Sequence, residues 1–210
     1  MLNGVIRIGI YGGTFAPVHR GHMAAAEAFM KQMELDLLYV IPAGIPPHKQ
    51  IDAADDPAHR LAMCERAFAG MRNVIVSDME INRAGKSFTV DTLRALHGED
   101  RRLFLLMGTD MMLTLGEWRE PDEIFKLCYP IYARREKDPI IEARIVAKNN
   151  ASRAKYGKIV RRLMLDTVEL ASTDIRSLVQ SGESFEHLVP PSVAAYIKKN
   201  GLYRGEQTDA

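Results

Sequence analysis

Residues Val5–His22 read VIRIGIYGGTFAPVHRGH. Val5–Tyr11 is a short β-rich run that stops at Gly12-Gly13. Helical composition resumes over Met23–Met33, which carries four alanines and no breaker. A strand, a glycine turn and a helix in that order open an α/β sheet, and in such sheets ligands sit beyond the carboxyl ends of the strands. Gly12 and Gly13 let the backbone bend sharply and approach a ligand closely. Pro17 stiffens the loop. The helix is expected to begin near Gly21, and its unpaired N–H groups make an anion site. His19 and His22 lie three residues apart, so both can point into one cavity at that helix start. The spacing is neither the dinucleotide fingerprint G-x-G-x-x-G nor the P-loop G-x-x-x-x-G-K-[ST], which argues against hydride transfer and P-loop ATPase chemistry. A capping or core-satisfied ring is the plain alternative for each histidine, and a metal ligand is another. Zinc needs three or four protein ligands. No cysteine pair or H-E-x-x-H completes such a set, so no protein metal site is expected.

Outward from this stretch, apolar runs alternate with helical patterns. Leu37–Pro42, Val74–Val76 and Leu103–Gly108 read as strands, with weaker strands at Cys128–Arg134 and Leu163–Val168. His59–Met71, Thr89–Leu96, Thr173–Gln180 and Val193–Asn200 read as helices, the last two closed by Gly182 and Gly201. Several strands are apolar on both faces, so the sheet is parallel and covered on both sides. Right-handed crossovers then give a Rossmann-like, doubly wound parallel sheet of the α/β class with a small C-terminal helical part. The expected division is a core over residues 1–170 and a helical part over 171–210. Two stretches leave the core. Pro42–Pro57 holds four prolines and reads as a surface loop. Arg134–Arg162 carries ten basic and three acidic residues, +7 net, against −3 for residues 1–133 and −3 for residues 163–210. A solvated helical hairpin is the plain reading of that segment. A surface that attracts phosphate or a partner is the sharper one.

The total of +1 over 210 residues therefore conceals one basic segment, and offers no whole-molecule field toward nucleic acid or a membrane. Neither partner is expected. Hydrophobic residues at 47% and charged residues at 26% exclude a disordered or fibrous chain. Cys64 and Cys128 lie far apart and suit a reduced, cytoplasmic protein. No apolar run reaches the length of a membrane span. The start MLNGVIRIGIYGG lacks the features of a secretory signal.

GGTFAPVHRGH resembles the G-[ST]-F-x-P-x-H-x-G-H signature of the nucleotidylyltransferase superfamily. Ser172–Arg176, STDIR, is similar to that family's C-terminal S-T-x-I-R motif, although Leu170 and Ala171 replace its leading Ile and Ser. Within the superfamily, the chain resembles bacterial nicotinate-mononucleotide adenylyltransferases over most of its length. IPAGIPPHK (Ile41–Lys49), SFTVDTL (Ser87–Leu93), LMGTD (Leu106–Asp110) followed by Trp118, and the ending from Pro190 to Tyr203 all match elements of that branch. At Tyr132–Lys137 the chain departs from it, with Ala133-Arg134-Arg135-Glu136 where many members carry R-P-G.

The resemblance implies attack by a mononucleotide phosphate on the α-phosphate of ATP, with release of pyrophosphate. Such chemistry needs alignment and charge neutralisation, not an activated Ser or Cys. It assigns His19, His22 and Arg176 to catalysis at the ATP phosphates. Gly13, Thr14, Phe15, Gly21, Gly108, Asp110, Ser172 and Thr173 would complete the ATP site. Lys49, beside His48, would meet the mononucleotide phosphate, Thr89 its carboxylate and Trp118 its pyridine ring. A plain helix N-cap is the alternative for Asp110, Thr89 and Thr173, and a core aromatic is the alternative for Trp118. Mg²⁺ would come with ATP, held mostly by water and phosphate. Nicotinamide mononucleotide and pantetheine phosphate are rival acceptors, cytidylyl transfer a rival reaction, and a non-catalytic nucleotide- or RNA-binding module a rival class. Homo-oligomer formation is left open.

Overall fold

Strand β1 (Ile6–Gly13) lies in the middle of a six-stranded sheet and is hydrogen-bonded along both edges. A computed structural model describes residues 4–45, 56–134, 138–165 and 170–204. On one side, β1 pairs with β2 (Leu37–Pro42), and β2 with β3 (Val74–Val76). On the other it pairs with β4 (Arg101–Gly108), followed by β5 (Cys128–Ala133) and β6 (Arg161–Leu163). Every pairing is parallel, and the order β3-β2-β1-β4-β5-β6 is that of a doubly wound sheet. Ile10 stands opposite Tyr39 on one edge and Leu105 on the other. The chain leaves β1 toward β2 and later returns to its far edge as β4. A crevice therefore opens at the carboxyl ends of β1 and β4.

Period-two alternation builds the two faces. Ile8, Ile10, Leu103, Leu105 and Met107 face one core, which is covered by α3 (Thr89–Leu96), α4 (Thr109–Thr114), α5 (Pro121–Leu127) and α6 (Pro139–Tyr156). Tyr11, Leu38, Val40, Phe104 and Leu106 face the other. There they meet α1 (Arg20–Gln32), α2 (Pro57–Phe68), α7 (Ser172–Ser181) and α8 (Pro191–Lys199). Ile175, Val193 and Ile197 from the last two helices share this core with Phe29 and Met63. Gly9 is what lets α1 approach the sheet: a Cβ there would stand 2.4 Å from Leu35 Cδ1 and 2.9 Å from Phe29 Cε1.

Helix α1 begins at Arg20, one residue before the expected start near Gly21, because His19 caps it. Helix α2 likewise starts at Pro57 rather than His59: the Asp56 side chain accepts from the Ala58 N–H, and Pro57 fits the first turn. It ends at Phe68, short of Met71. The basic segment is not a helical hairpin. Asp138 caps one 18-residue helix, α6, and Gly157, with φ +66°, ends it. The chain then returns to the sheet as β6, whose register places Arg161 and Arg162 beside Ile131 and Tyr132. An edge strand keeps these cations in solvent, so a strand forms earlier than the expected Leu163–Val168; residues 166–169 lie outside the described residues. Arg134, Lys148 and Lys155 of the basic segment each pair with a carboxylate, of Glu142, Glu117 and Asp122 respectively. No helix among the described residues is long and apolar enough to cross a membrane.

Both cysteines are buried and unbridged, and burial pushes the Cys128 thiol up to about 12. The native protein should not react with a thiol reagent at pH 8, whereas the denatured chain should titrate both thiols. Phe29 is completely buried between α1 and the sheet. Phe29→Ala is expected to lower the unfolding free energy by about 3–5 kcal/mol, measured by chemical denaturation.

Candidate active site

A cavity of ≈ 410 Å³ opens at the crevice between β1 and β4. Its size suits a nucleotide-sized ligand. Thirteen of the fourteen residues singled out from the sequence line it: Gly13, Thr14, Phe15, His19, Gly21, His22, Thr89, Gly108, Asp110, Trp118, Ser172, Thr173 and Arg176. Lys49, with His48, lies outside the described residues.

The loop between β1 and α1 is anchored from below. Phe15 sits at φ +53° and buries its ring edge-on to Tyr11 and His22, at centroid distances of 5.3 and 5.0 Å. A Cβ on Gly13 would meet that ring at 3.0 Å. Gly12 has nothing within 4 Å of where a Cβ would stand. The anchored ring turns the backbone of Gly12–Thr14 toward the cavity.

His19 and His22 form a reciprocal pair. The His22 N–H donates to His19 Nδ1 at 3.3 Å, and the His19 N–H donates to His22 Nδ1 at 3.2 Å. Their rings stack at 3.6 Å between centroids. The capping role of His19 and its place in the cavity are therefore two uses of one ring. A ring nitrogen that accepts an N–H carries no proton, so in the neutral rings the proton sits on Nε2. The pair thus presents Nε2–H donors, the polarity that phosphate oxygens require.

On the same wall, α7 is bonded to this loop over a long separation in sequence. Ser172 Oγ donates to the Pro17 carbonyl at 3.0 Å, and Arg176 Nη1 donates to the Ala16 carbonyl at 2.7 Å. The plain N-cap reading of Thr89, Asp110 and Thr173 does not hold. The caps of their helices are Phe88, Gly108 and Ala171, and the three residues occupy the first or second helical positions. A side chain with an acceptor at the cap would consume a first-turn N–H. No such side-chain bond forms at Phe88 or Ala171, so α3 and α7 bring first-turn N–H groups to the cavity wall.

Trp118 also lines the cavity. It follows the short turn Leu115–Glu117, is half-buried, and donates from Nε1 to Thr114 Oγ1 at 3.4 Å. One side of the indole packs on the core under α3–α6 while the residue also lines the cavity, so the core-aromatic and platform readings coexist. Asp110 is exposed and lines the cavity.

Sequence reasoning missed Glu80, Arg119 and Arg134, which also line the cavity. Glu80 is buried and accepts from Thr92 Oγ1 at 2.6 Å. Burial holds its carboxyl above the usual carboxylate range, against the bonds from Thr92 and Ser87 and the nearby Arg83. Arg119 lies over the Phe88 ring at 4.7 Å. Arg134 pairs with Glu142 Oε2 at 2.5 Å. One signal was available for Arg134: it directly follows the carboxyl end of β5, as Asp110 follows β4. Among the described residues, no group of three or more His, Cys, Asp or Glu side chains is placed to hold a metal ion.

A cytidylyltransferase-like family model matches residues 10–178. A probable nicotinate-nucleotide adenylyltransferase of Synechococcus sp. (strain JA-3-3Ab) is 41% identical over 202 residues, covering 94% of each chain. One of Thermoanaerobacter sp. (strain X514) is 36% identical over 206 residues, covering 96% of each. The chain belongs to the nicotinate-nucleotide adenylyltransferase family. Its fold recurs in Plasmodium falciparum nicotinic acid mononucleotide adenylyltransferase, solved in complexes with APC and with NaAD. The TM-score is 0.70 in both cases, with 17% and 16% identity and coverage of 94% of this chain and 97% of that one. Within this family, the residues matching the two signature motifs meet in one cavity although about 150 residues of chain separate them.

The histidine pair separates two functions by substitution. His19→Asn keeps a side-chain acceptor for the first turn but loses the imidazole. It should lower turnover by two or more orders of magnitude while leaving thermal stability near the native value. His19→Ala should add a stability loss of about 1 kcal/mol, the usual value of an N-cap.

Proposed function

We propose that the cavity transfers the adenylyl group of ATP to nicotinate mononucleotide, giving nicotinate adenine dinucleotide and pyrophosphate. Family membership supports the reaction. The observation that supports its assignment to this cavity is that His19, His22, the α7 N-terminus with Arg176, the α3 N-terminus and the Trp118 indole all line the same cavity.

An oxygen of the mononucleotide phosphate attacks the α-phosphorus of ATP. The bond to the bridging oxygen of the β-phosphate breaks, and pyrophosphate leaves with that electron pair. Both reactants bring their own nucleophile and leaving group, so the protein aligns them and stabilises spreading negative charge. Nε2–H of His19 and His22 would donate to phosphate oxygens as the α-phosphorus becomes five-coordinate. Thr173, the α7 N–H groups and Arg176 would hold the β- and γ-phosphates, with Ser172 fixing α7 to the loop. The backbone of Gly13–Phe15 would approach the nucleotide, and Gly21 would leave room at the α1 N-terminus. Gly108 and Asp110 would meet the ribose. Trp118 would stack on the pyridine ring, and N–H groups at Thr89 would receive its carboxylate. Lys49 would meet the mononucleotide phosphate.

The donors at the phosphate end suit anions, not a bare cation, so Mg²⁺ fits only as an ion carried in by ATP phosphates and water. Bound there, it would neutralise phosphate charge. A cytoplasmic location accords with two unbridged thiols.

Incubation with ATP, nicotinate mononucleotide and Mg²⁺ should release pyrophosphate and the dinucleotide in equal amounts. No turnover by folded protein would reject the reading. Nicotinamide mononucleotide and pantetheine phosphate in the same assay should give much lower kcat/KM, because a site that pairs a carboxylate discriminates strongly against acceptors lacking it. Trp118→Ala should raise KM for the mononucleotide by about tenfold, in line with the 1–3 kcal/mol of a ring stacked on an aromatic side chain, and leave KM for ATP near the native value.

A further inference from the structure

Arg60 is the largest completely buried side chain among the described residues, with 0% exposure. It lies on the first turns of α2, outside the cavity wall. A buried guanidinium is costly unless its donors are satisfied. Two of its bonds reach backbone carbonyls on different loops: Nη1 donates to Thr14 O at 3.0 Å, and Nη2 donates to Gly44 O at 3.1 Å. Thr14 belongs to the phosphate loop after β1. Gly44 follows β2. The rigid fork of one guanidinium thus fixes the spacing of two loops that the sheet alone leaves as neighbours.

Gly44 is held on its other sides as well. Its N–H donates to Ser87 Oγ at 3.0 Å, and Ser87 N–H donates to the Ile45 carbonyl at 2.9 Å. A Cβ at residue 44 would stand 2.4 Å from the Glu80 carbonyl oxygen, so only glycine fits between them. Ser87 lines the cavity two residues before Thr89, at the start of α3. A continuous bonded path therefore runs from Thr14 on the loop after β1, through Arg60 and Gly44, to Ser87 beside the N-terminus of α3. A second strut, Ala43 N–H to Gly13 O at 2.9 Å, runs beside it.

We propose that Arg60 is a positioning residue: acting through Gly44 and Ser87, it sets the distance between the ATP half of the site and the mononucleotide half. This role rests on the adenylyl-transfer reading above. Each half-site keeps its own walls if Arg60 is changed, and what is lost is their register. In-line transfer is sensitive to that register, since a displacement of about 1 Å costs about 10²-fold in rate.

The test splits binding from turnover. Arg60→Lys keeps the charge, but one ammonium cannot fork to both carbonyls. Arg60→Met keeps the approximate length and removes the charge. For Arg60→Lys, kcat should fall about 10- to 100-fold, while Kd for ATP and for nicotinate mononucleotide, each titrated alone, stays within about threefold. Arg60→Met should fall further. Ser87→Ala enters the same path from the cavity side and leaves the Arg60 guanidinium in place, although it also removes a bond to the buried Glu80 carboxyl, and it decides the matter should Arg60→Met not fold. It should lower kcat in the same sense, and the Arg60→Lys/Ser87→Ala double variant should lose less than the product of the two single losses. The proposal is overturned if folded Arg60→Lys keeps kcat within about twofold of native, if the loss lies in the two Kd values alone, or if the single losses multiply independently. Native enzyme in the same assay reports the reaction itself, so absence of turnover there would refute the function and not the positioning role.

Discussion

Parallel pairing along both edges of β1 is the constraint on which everything else depends. β2 and β4 run in the same direction as β1, so the carboxyl ends of three strands meet on one side of the sheet. Helices that follow parallel strands begin at that end, and their N-termini are therefore delivered to the same crevice. α1, α3, α4 and α7 all contribute first-turn residues to the cavity wall. Had β4 run antiparallel, the helix start bearing Asp110 would lie on the opposite side of the molecule.

The site that results is built from donors. Phosphoryl transfer between two nucleotides asks the protein for no nucleophile, and both thiols are buried in the core, away from the wall. What it offers are groups whose donor sense is fixed before a ligand arrives. Reciprocal bonding fixes the proton position in the His19–His22 pair. Phe88 and Ala171 at the caps leave first-turn N–H groups to be met from outside. Such preorganisation avoids the reorganisation that water would require as charge develops.

Much of this was legible in the residues themselves. Leu37–Pro42, Val74–Val76 and Thr89–Leu96 read as they fold, because apolar composition on both faces and a sharp change of pattern mark their ends. The histidines and STDIR declared themselves by spacing. What escaped notice was what depends on distant partners. Nothing local in His19 says that a histidine three residues on will return its cap bond. The single helix α6 was misread as a hairpin because a run of cations hides the cap Asp138 and the stop Gly157. Arg60 and Glu80 look like ordinary surface charges until the tertiary structure buries them. Arg134 needed the strand-end rule applied to β5 as it was to β4.

The bonds from Ser172 and Arg176 to Pro17 and Ala16 join parts of the chain 155 and 160 residues apart. This gives synthesis a definite order. A nascent chain that has made the whole sheet, both histidines and the indole still lacks the α7 part of the cavity wall, and the loop carrying His19 still lacks two of its braces. The site closes only when the last helices emerge and dock on the face already formed by α1 and α2. A chain cut short anywhere before residue 176 thus has the sheet but an open cavity and an unbraced loop, so the cavity is completed by α7 in one step rather than growing with the length of the chain.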